Sequence, residues 1–434
     1  MAEPYWPQPR AVTQPYWWPL PPVEGEPAPL EALVEGEAVE TRHGPFFRRR
    51  LAVPLDERYG VCRIGDFLQL NPETAAALAR EPDLGAVALE RMLFLDTETT
   101  GLAGGTGTYA FLVGLGYFEP TADGACFVLE QCMMRSYAEE RAMLSWVADR
   151  LQRFEALATF NGRVFDVPLL QTRFLMSRMR LDLEEWLHFD LLPPARRLWR
   201  AAAGSCALQS LERHVLGARR EHDVESFLIP AIYHQYLRDG DGRYLRRVFD
   251  HNRADVLATV ALAVRACSAL DGATGERGGP RRPVHLSAAE YVGLARVYEQ
   301  LGNLDAAEHA YRGALRGPLP TGLRARTLFD LAALLKRARR FDEAAAIWQV
   351  ITDELPAHSV AALVELAKYW EHRRRDPARA HRLAALARDR WLACLPPRER
   401  PLPGLRPWRT PPPDVPPDDF ARRLARLERK RAQA

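Results

Sequence analysis

No apolar run in this chain approaches the roughly 18 residues that a membrane-crossing helix needs. Cysteine is scarce. Cys62, Cys126, Cys132, Cys206, Cys267 and Cys394 are scattered without a pairing pattern, so reduced thiols are the default. No histidine or cysteine grouping has zinc spacing. The start, Met1-Ala2-Glu3-Pro4-Tyr5-Trp6, lacks a basic region followed by an apolar core, so no signal peptide is expected and the expected compartment is cytoplasmic. Charge of one sign is also missing. Lys and Arg total 59 against 56 Asp and Glu, a net +3, so any polyanion must be bound by a local patch and not by a global field. The glycine-rich run 101–107 is not followed by Gly-Lys-Ser/Thr, which excludes a nucleotide-hydrolase phosphate loop.

What is present is acidic and local. At 434 residues and 47% hydrophobic content, the chain has ample material for more than one core. The run Met92-Leu93-Phe94-Leu95-Asp96-Thr97-Glu98 reads as a buried strand, and strand alternation puts Asp96 and Glu98 on one face. Two carboxylates so close repel at low dielectric unless a cation lies between them. Oxygen-rich sites of that kind suit Mg²⁺ or Mn²⁺. An isolated Asp-x-Glu is also compatible with an ordinary solvated strand end.

Two further segments join it. Ala156 to Phe160 reads as a short strand, Asn161-Gly162 as a turn and Val164 onward as a helix, which puts Asp166 in a first helical turn where an anion is favoured. The periodic stretch Tyr244 to Cys267 reads as a helix on which His251 and Asp255, four apart, stack one turn above the other. Alone, that pair also fits a core histidine satisfied by its neighbour.

At these residues the chain resembles the DEDD superfamily of 3′–5′ exonucleases, which have a ribonuclease H-like fold. Motif one is Phe94-Leu95-Asp96-Thr97-Glu98-Thr99-Thr100-Gly101-Leu102, motif two Asn161-Gly162-x-x-Phe165-Asp166-x-Pro168 and motif three His251-x-x-x-Asp255. A narrower likeness is to the bacterial YprB-type ribonuclease H-like proteins, related to the exonuclease domain of family B DNA polymerases. It extends over roughly residues 60 to 270 and includes Gly101 to Thr108, His188-Phe189-Asp190-Leu191-Leu192, Ala195 to Trp199, and Cys206-Ala207-Leu208 before Leu211-Glu212. The superfamily has a tyrosine type, with Tyr four residues before the last Asp, and a histidine type, with His five before it. This chain puts a histidine at the tyrosine spacing.

The resemblance implies two-metal hydrolysis of a phosphodiester, with two divalent cations, Mg²⁺ or Mn²⁺. Asp96 would bridge both ions, Glu98 and Asp255 complete one site and Asp166 support the other. His251 would orient or deprotonate the attacking water, and its ordinary pKa of about 6.5 suits that work. Thr97, Gly101, Leu102, Thr106, Asn161 and Phe165 are the expected substrate contacts. The glycines of 101–107 permit a tight crossing between strands and could admit a terminal nucleotide to the backbone, or serve only as a turn. Asp190 is expected to fix the start of the helix carrying Arg196, Arg197 and Arg200. Those arginines face the expected nucleic-acid side, or form a solvated helix face. Asp250 is expected to be solvated.

The expected organisation is an α/β ribonuclease H-like exonuclease domain followed by an all-α tetratricopeptide-like repeat domain. Residues 1–55 read as a proline- and aromatic-rich arm or strap, 56–270 as the exonuclease domain and 271–284 as a linker. Residues 285–395 read as helical repeats and 396–434 as a proline-rich tail with a basic terminal helix. In the repeats, Tyr291, Leu294, Ala295 and Tyr298 with Ala307, Tyr311 and Ala314 match a helix-turn-helix unit. The spacing recurs as Leu328, Leu331, Ala332, Leu335, Ala344, Trp348 and Ile351, then more weakly around Leu366, Ala367, Tyr369, Ala378 and Ala380. These repeats are either a partner-binding groove or a stabilising appendage. The terminal helix, with Arg422, Arg423, Arg426, Arg429, Lys430 and Arg431, either contacts phosphates or is solvated. Two functional classes follow: a metal-dependent enzyme trimming 3′ ends of DNA or RNA, or a nucleic-acid-binding or protein-interaction scaffold working through the repeats.

Overall fold

The computed structural model describes residues 25–101, 106–122, 124–183, 185–274, 285–394 and 420–432. The expected contact Leu102, residues 1–24 of the arm, 275–284 of the linker, Leu395 at the end of the repeats and 396–419 of the tail lie outside the described residues. The chain divides into two units, Met1–Val284 and His285–Ala434.

The first unit is built on one mixed sheet. Its strands are β1 (Glu37–Thr41), β2 (Gly44–Val53), β5 (Met92–Thr99), β6 (Ala110–Thr121), β7 (Gly124–Met133), β8 (Ala156–Thr159) and β9 (Leu187–Asp190), while β3 (Arg58–Tyr59) and β4 (Cys62–Arg63) form a separate small hairpin. The order across the sheet is β1-β2-β7-β6-β5-β8-β9. Pairing is antiparallel from β1 to β5 and parallel from β5 through β8 to β9. The parallel step from β8 to β9 requires a crossover, supplied by the helix Asp166–Met176. The apolar run Met92–Leu95 is buried on both faces, as a central strand between layers must be.

The helix Arg243–Thr274 lies across β5 and β6. It can approach because β6 carries two glycines on the facing side. A Cβ on Gly116 would stand 2.7 Å from Val256, and one on Gly114 would stand 2.3 Å from the Asn252 amide oxygen. The same helix continues past the expected linker start at 271.

The segment expected as an arm is different. Residues 37–53 form an antiparallel hairpin that extends the sheet beyond β7, with Phe47 opposite Met133 and Val53 opposite Phe127. Phe46 and Phe47 are fully buried there. The proline density of the first thirty residues does not continue: between Pro29 and Pro45 there is none, and backbone amides are free to pair.

The second unit consists of helix pairs, Ala288–Gln300 with Leu304–Arg316, Thr321–Arg337 with Phe341–Glu354, and Val360–His372 with Pro377–Cys394. Ser287 and Glu290 form a reciprocal cap on the first helix, and Asn303 caps the second. Ala307, Tyr311, Ala314, Leu331, Ala332 and Trp348, expected at helix crossings, are buried. The terminal helix Phe420–Ala432 is neither free nor simply solvated. Phe420 lies against Trp391, and Leu424 and Leu427 against Ala367, Ala380 and Ala384. Arg426 and Lys430 pair with the buried Glu371 at 2.8 and 2.7 Å. The helix therefore closes the exposed end of the stack, as a terminal repeat must. Among the described residues no helix is long and apolar enough to cross a membrane.

Candidate active site

Asp96 and Glu98 stand at i and i+2 near the end of β5, and a register shift after Glu98 ends the regular pairing there. Asp166 opens its helix immediately after a turn in which Asn161 takes the left-handed conformation at φ 70°. Gly162 is required beside it, because a Cβ would lie 2.5 Å from the Thr159 hydroxyl. Asp190 holds this turn in place. Its carboxylate accepts from the amides of Asn161 at 2.8 Å, Arg163 at 3.2 Å and Leu192 at 3.0 Å, so it fixes the turn and the start of the next helix.

Asp96, Glu98, Asp166, His251 and Asp255 all line one cleft of about 180 Å³, together with Thr97, Asn161 and Phe165. Gly101 and Thr106 are not among its described lining residues. Their carbonyls are taken up by the Thr99 hydroxyl at 2.9 Å and the Arg173 guanidinium at 2.8 Å. Arg196, Arg197 and Arg200 do not line it either, and Arg197 donates to the Leu78 carbonyl. Asp250 is exposed and pairs with Arg49 at 3.4 Å.

Each of the three aspartates has one oxygen held by a protein donor. Asn252 Nδ2 donates to Asp96 Oδ2 at 2.8 Å, the Thr97 hydroxyl donates to Asp166 Oδ1, and Arg220 Nη2 pairs with Asp255 Oδ1. Glu98 Oε1 is buried with no hydrogen-bond partner. One ligand atom each from Glu98, His251 and Asp255 lies within 4.8 Å of the others. An orphaned buried carboxylate oxygen among further carboxylates is an oxygen donor set that fits a divalent cation such as Mg²⁺ or Mn²⁺.

The electrostatics agree. Desolvation in the cleft, then the charges of Asp255 and Asp166, push the Asp96 pKa well above the carboxylate range, although Asn252 opposes this. Glu98 is raised in the same way by burial and then by Asp96, Asp255 and Asp166. Burial pushes Asp166 up to about 6, against the hydrogen bond from Thr97. His251 is 3% exposed. Burial lowers its pKa, but its hydrogen bond to Asp223 and the charges of Asp255 and Asp223 outweigh that and leave it raised.

Several contributors are not visible in the motifs. Asn252 is fully buried and accepts at its own Oδ1 from Gln131 Nε2 at 2.9 Å. Asp96 lies opposite Gly114 and Gly114 opposite Gln131, so three adjacent strands align Asp96, a gap and Gln131. Asn252 fills the gap. Asp223 accepts from His251 Nδ1 at 2.7 Å and is itself paired with Arg220 at 3.3 Å. This leaves Nε2 on the cleft side, 3.6 Å from Asp255 and 3.5 Å from the Ser226 hydroxyl. Asn252 falls at an unspecified position inside motif three, and Gln131, Arg220 and Asp223 lie outside all three motifs.

The glycine gap has a testable consequence. Gly114→Ala is expected to displace Asn252 and cost about 1–3 kcal/mol, as overpacking of a tight interior does. The melting temperature should then fall by several degrees. A variant that melts like the parent would show that Asn252 can reach Asp96 without the gap.

A family model described as RNase_H superfamily matches residues 93–267. The chain is also similar to the uncharacterized protein YprB of Bacillus subtilis (strain 168), 28% identical over 339 residues that span 77% of this chain and 78% of that one. The matched residues contain β5 through β9, the helix start bearing Asp166, and His251 and Asp255 on the long helix. With its mixed sheet and the carboxylates gathered at the end of its central strand, the segment 93–267 is similar to the RNase_H superfamily whose model it matches.

Proposed function

We propose that this chain is a metal-dependent 3′–5′ exonuclease that hydrolyses phosphodiester bonds of nucleic acid by a two-metal-ion mechanism. The match of residues 93–267 to the RNase_H superfamily model supports a hydrolase of nucleic acid. The observation that carries the finer reading is the meeting of Asp96, Glu98, Asp166, His251 and Asp255 in one cleft. The four carboxylates would hold two divalent cations. Bound there, such cations supply Lewis-acid stabilisation of the charge that builds on the attacked phosphate and on the leaving 3′ oxygen.

The chain's own groups do the rest. Asn252, Thr97 and Arg220 each occupy one carboxylate oxygen, which orients the other toward the cleft. Asp223 accepts the His251 Nδ1 hydrogen and so leaves Nε2 as the proton acceptor. Water attacks phosphorus, its proton passes to His251 Nε2, and the 3′ oxygen of the penultimate nucleotide leaves and is protonated from solvent. Asn161 and Phe165, lining the same cleft, would contact the terminal nucleotide.

The test is incubation of the full chain with 5′-labelled DNA and RNA oligomers and Mn²⁺. A ladder shortening from the 3′ end supports the exonuclease. Oligomers that are bound but stay intact would replace it with the scaffold reading, in which the helical repeats do the main work.

A further inference from the structure

Residues 1–284 contain no lysine, so every strongly basic side chain there is an arginine, the residue suited to bidentate phosphate recognition. Three of these arginines come from separate elements and line one cleft of about 620 Å³: Arg58 on the small hairpin, Arg219 in the loop after Gly217, and Arg247 on the long helix. All three are exposed, and among the described residues none has an ion-pair partner. The acids in the same walls are mostly committed. Asp223 serves His251 and Arg220, and Asp250 pairs with Arg49, which leaves Glu221 against three free guanidiniums.

Hydrogen bonds tie the walls of the cleft together. Val61 N donates to the Leu216 carbonyl at 2.9 Å, and a Cβ on Gly60 would stand 2.1 Å from that same oxygen. Tyr59 is bonded to Glu212, which also pairs with Arg220 at 2.9 Å. The cleft also adjoins the carboxylates. Arg220 and Asp223 line it, and the same two side chains touch Asp255 and His251. Arg247 and Asp255 are eight residues apart on one helix, about 12 Å along its axis.

We propose that this arginine-lined cleft carries the phosphodiester backbone of a single strand whose 3′-terminal nucleotide enters the carboxylate cleft. The proposal rests on the exonuclease reading. The carboxylate cleft, at about 180 Å³, leaves the remainder of a strand outside it, and the adjoining cleft offers unpaired cations within a few nucleotides' reach. From sequence, Arg196, Arg197 and Arg200 are expected either on the nucleic-acid side or on a solvated helix face; Arg197 is tied to Leu78 and none of the three lines either cleft.

Binding of labelled single-stranded oligomers to the full chain, measured in EDTA over a range of salt, tests this without any turnover. Each phosphate neutralised on a single strand contributes about 0.7 to the slope of log Kd against log salt. R58A/R219A/R247A should therefore lower that slope by about 2 and weaken binding most at low salt. R58K/R219K/R247K, which keeps the charge, should hold the parent slope and guards against a folding defect in the first variant. An unchanged slope in the alanine variant overturns the proposal. Hydrolysis with Mn²⁺, run on the parent in parallel, separates the two readings. A slope change without hydrolysis keeps the cleft and removes the exonuclease. Hydrolysis with no slope change does the reverse.

Discussion

Asp96→Ala is expected to reduce phosphodiester hydrolysis to background, roughly 10³-fold or more, equivalent to about 4 kcal/mol of barrier. It should do so without unfolding the domain. Asp96 shares its cleft with Glu98, Asp166 and Asp255, so its removal takes away repulsion along with a ligand. The sign of the pH dependence follows from the raised carboxylates. A group whose pKa is higher in the folded chain stabilises the fold fully below its unfolded value, and that contribution is lost as pH rises through the folded value. Asp96 and Glu98 lie above the carboxylate range and Asp166 reaches about 6, so the metal-free parent should lose stability between about pH 4 and neutrality. In Asp96→Ala that loss should be smaller. Melting curves in EDTA at pH 5 and pH 8 measure it. A variant that melts well below the parent at pH 8 would make Asp96 a structural residue and sink the metal assignment.

His251→Ala is the second large effect expected, a fall of roughly 10²–10⁴-fold in turnover at neutral pH. Metal affinity should change little, because the four carboxylates remain. The imidazole is held by Asp223 at Nδ1 and faces Asp255 and Ser226 at Nε2, the arrangement of a proton acceptor fixed in one tautomer. His251→Tyr, which places at this position the residue usual for the spacing, should recover part of the activity. A histidine that only completes the core gives a different pattern, with a lower melting temperature and near-normal turnover per folded molecule. Rate and melting temperature measured on the same preparation distinguish the two. Calorimetry with Mn²⁺ checks that the metal set is intact.

Local periodicity was enough for much of the site. A strand repeats every two residues, so Asp96 and Glu98 had to share a face; a helix repeats every 3.6, so His251 and Asp255 had to stack. The Asn161-Gly162 turn and the helix after it placed Asp166, and the spacing of small and aromatic residues marked the helix pairs after residue 285. Each of these is decided by neighbours a few positions away. The remainder depended on register and long-range packing. Gly114 and Gln131 matter only because three strands bring them level with Asp96, and no residue in β6 or β7 announces that alignment. Arg220 and Asp223 reach Asp255 and His251 from a loop about thirty residues upstream, with no period connecting them. The hairpin 37–53 joins the sheet because β7 leaves an edge to cover, and the terminal helix closes the repeats because Glu371 and an alanine face await it. Composition and spacing name the groups that can do chemistry; which oxygen of each is held, and which is left facing the cleft, is set only when distant strands and helices meet.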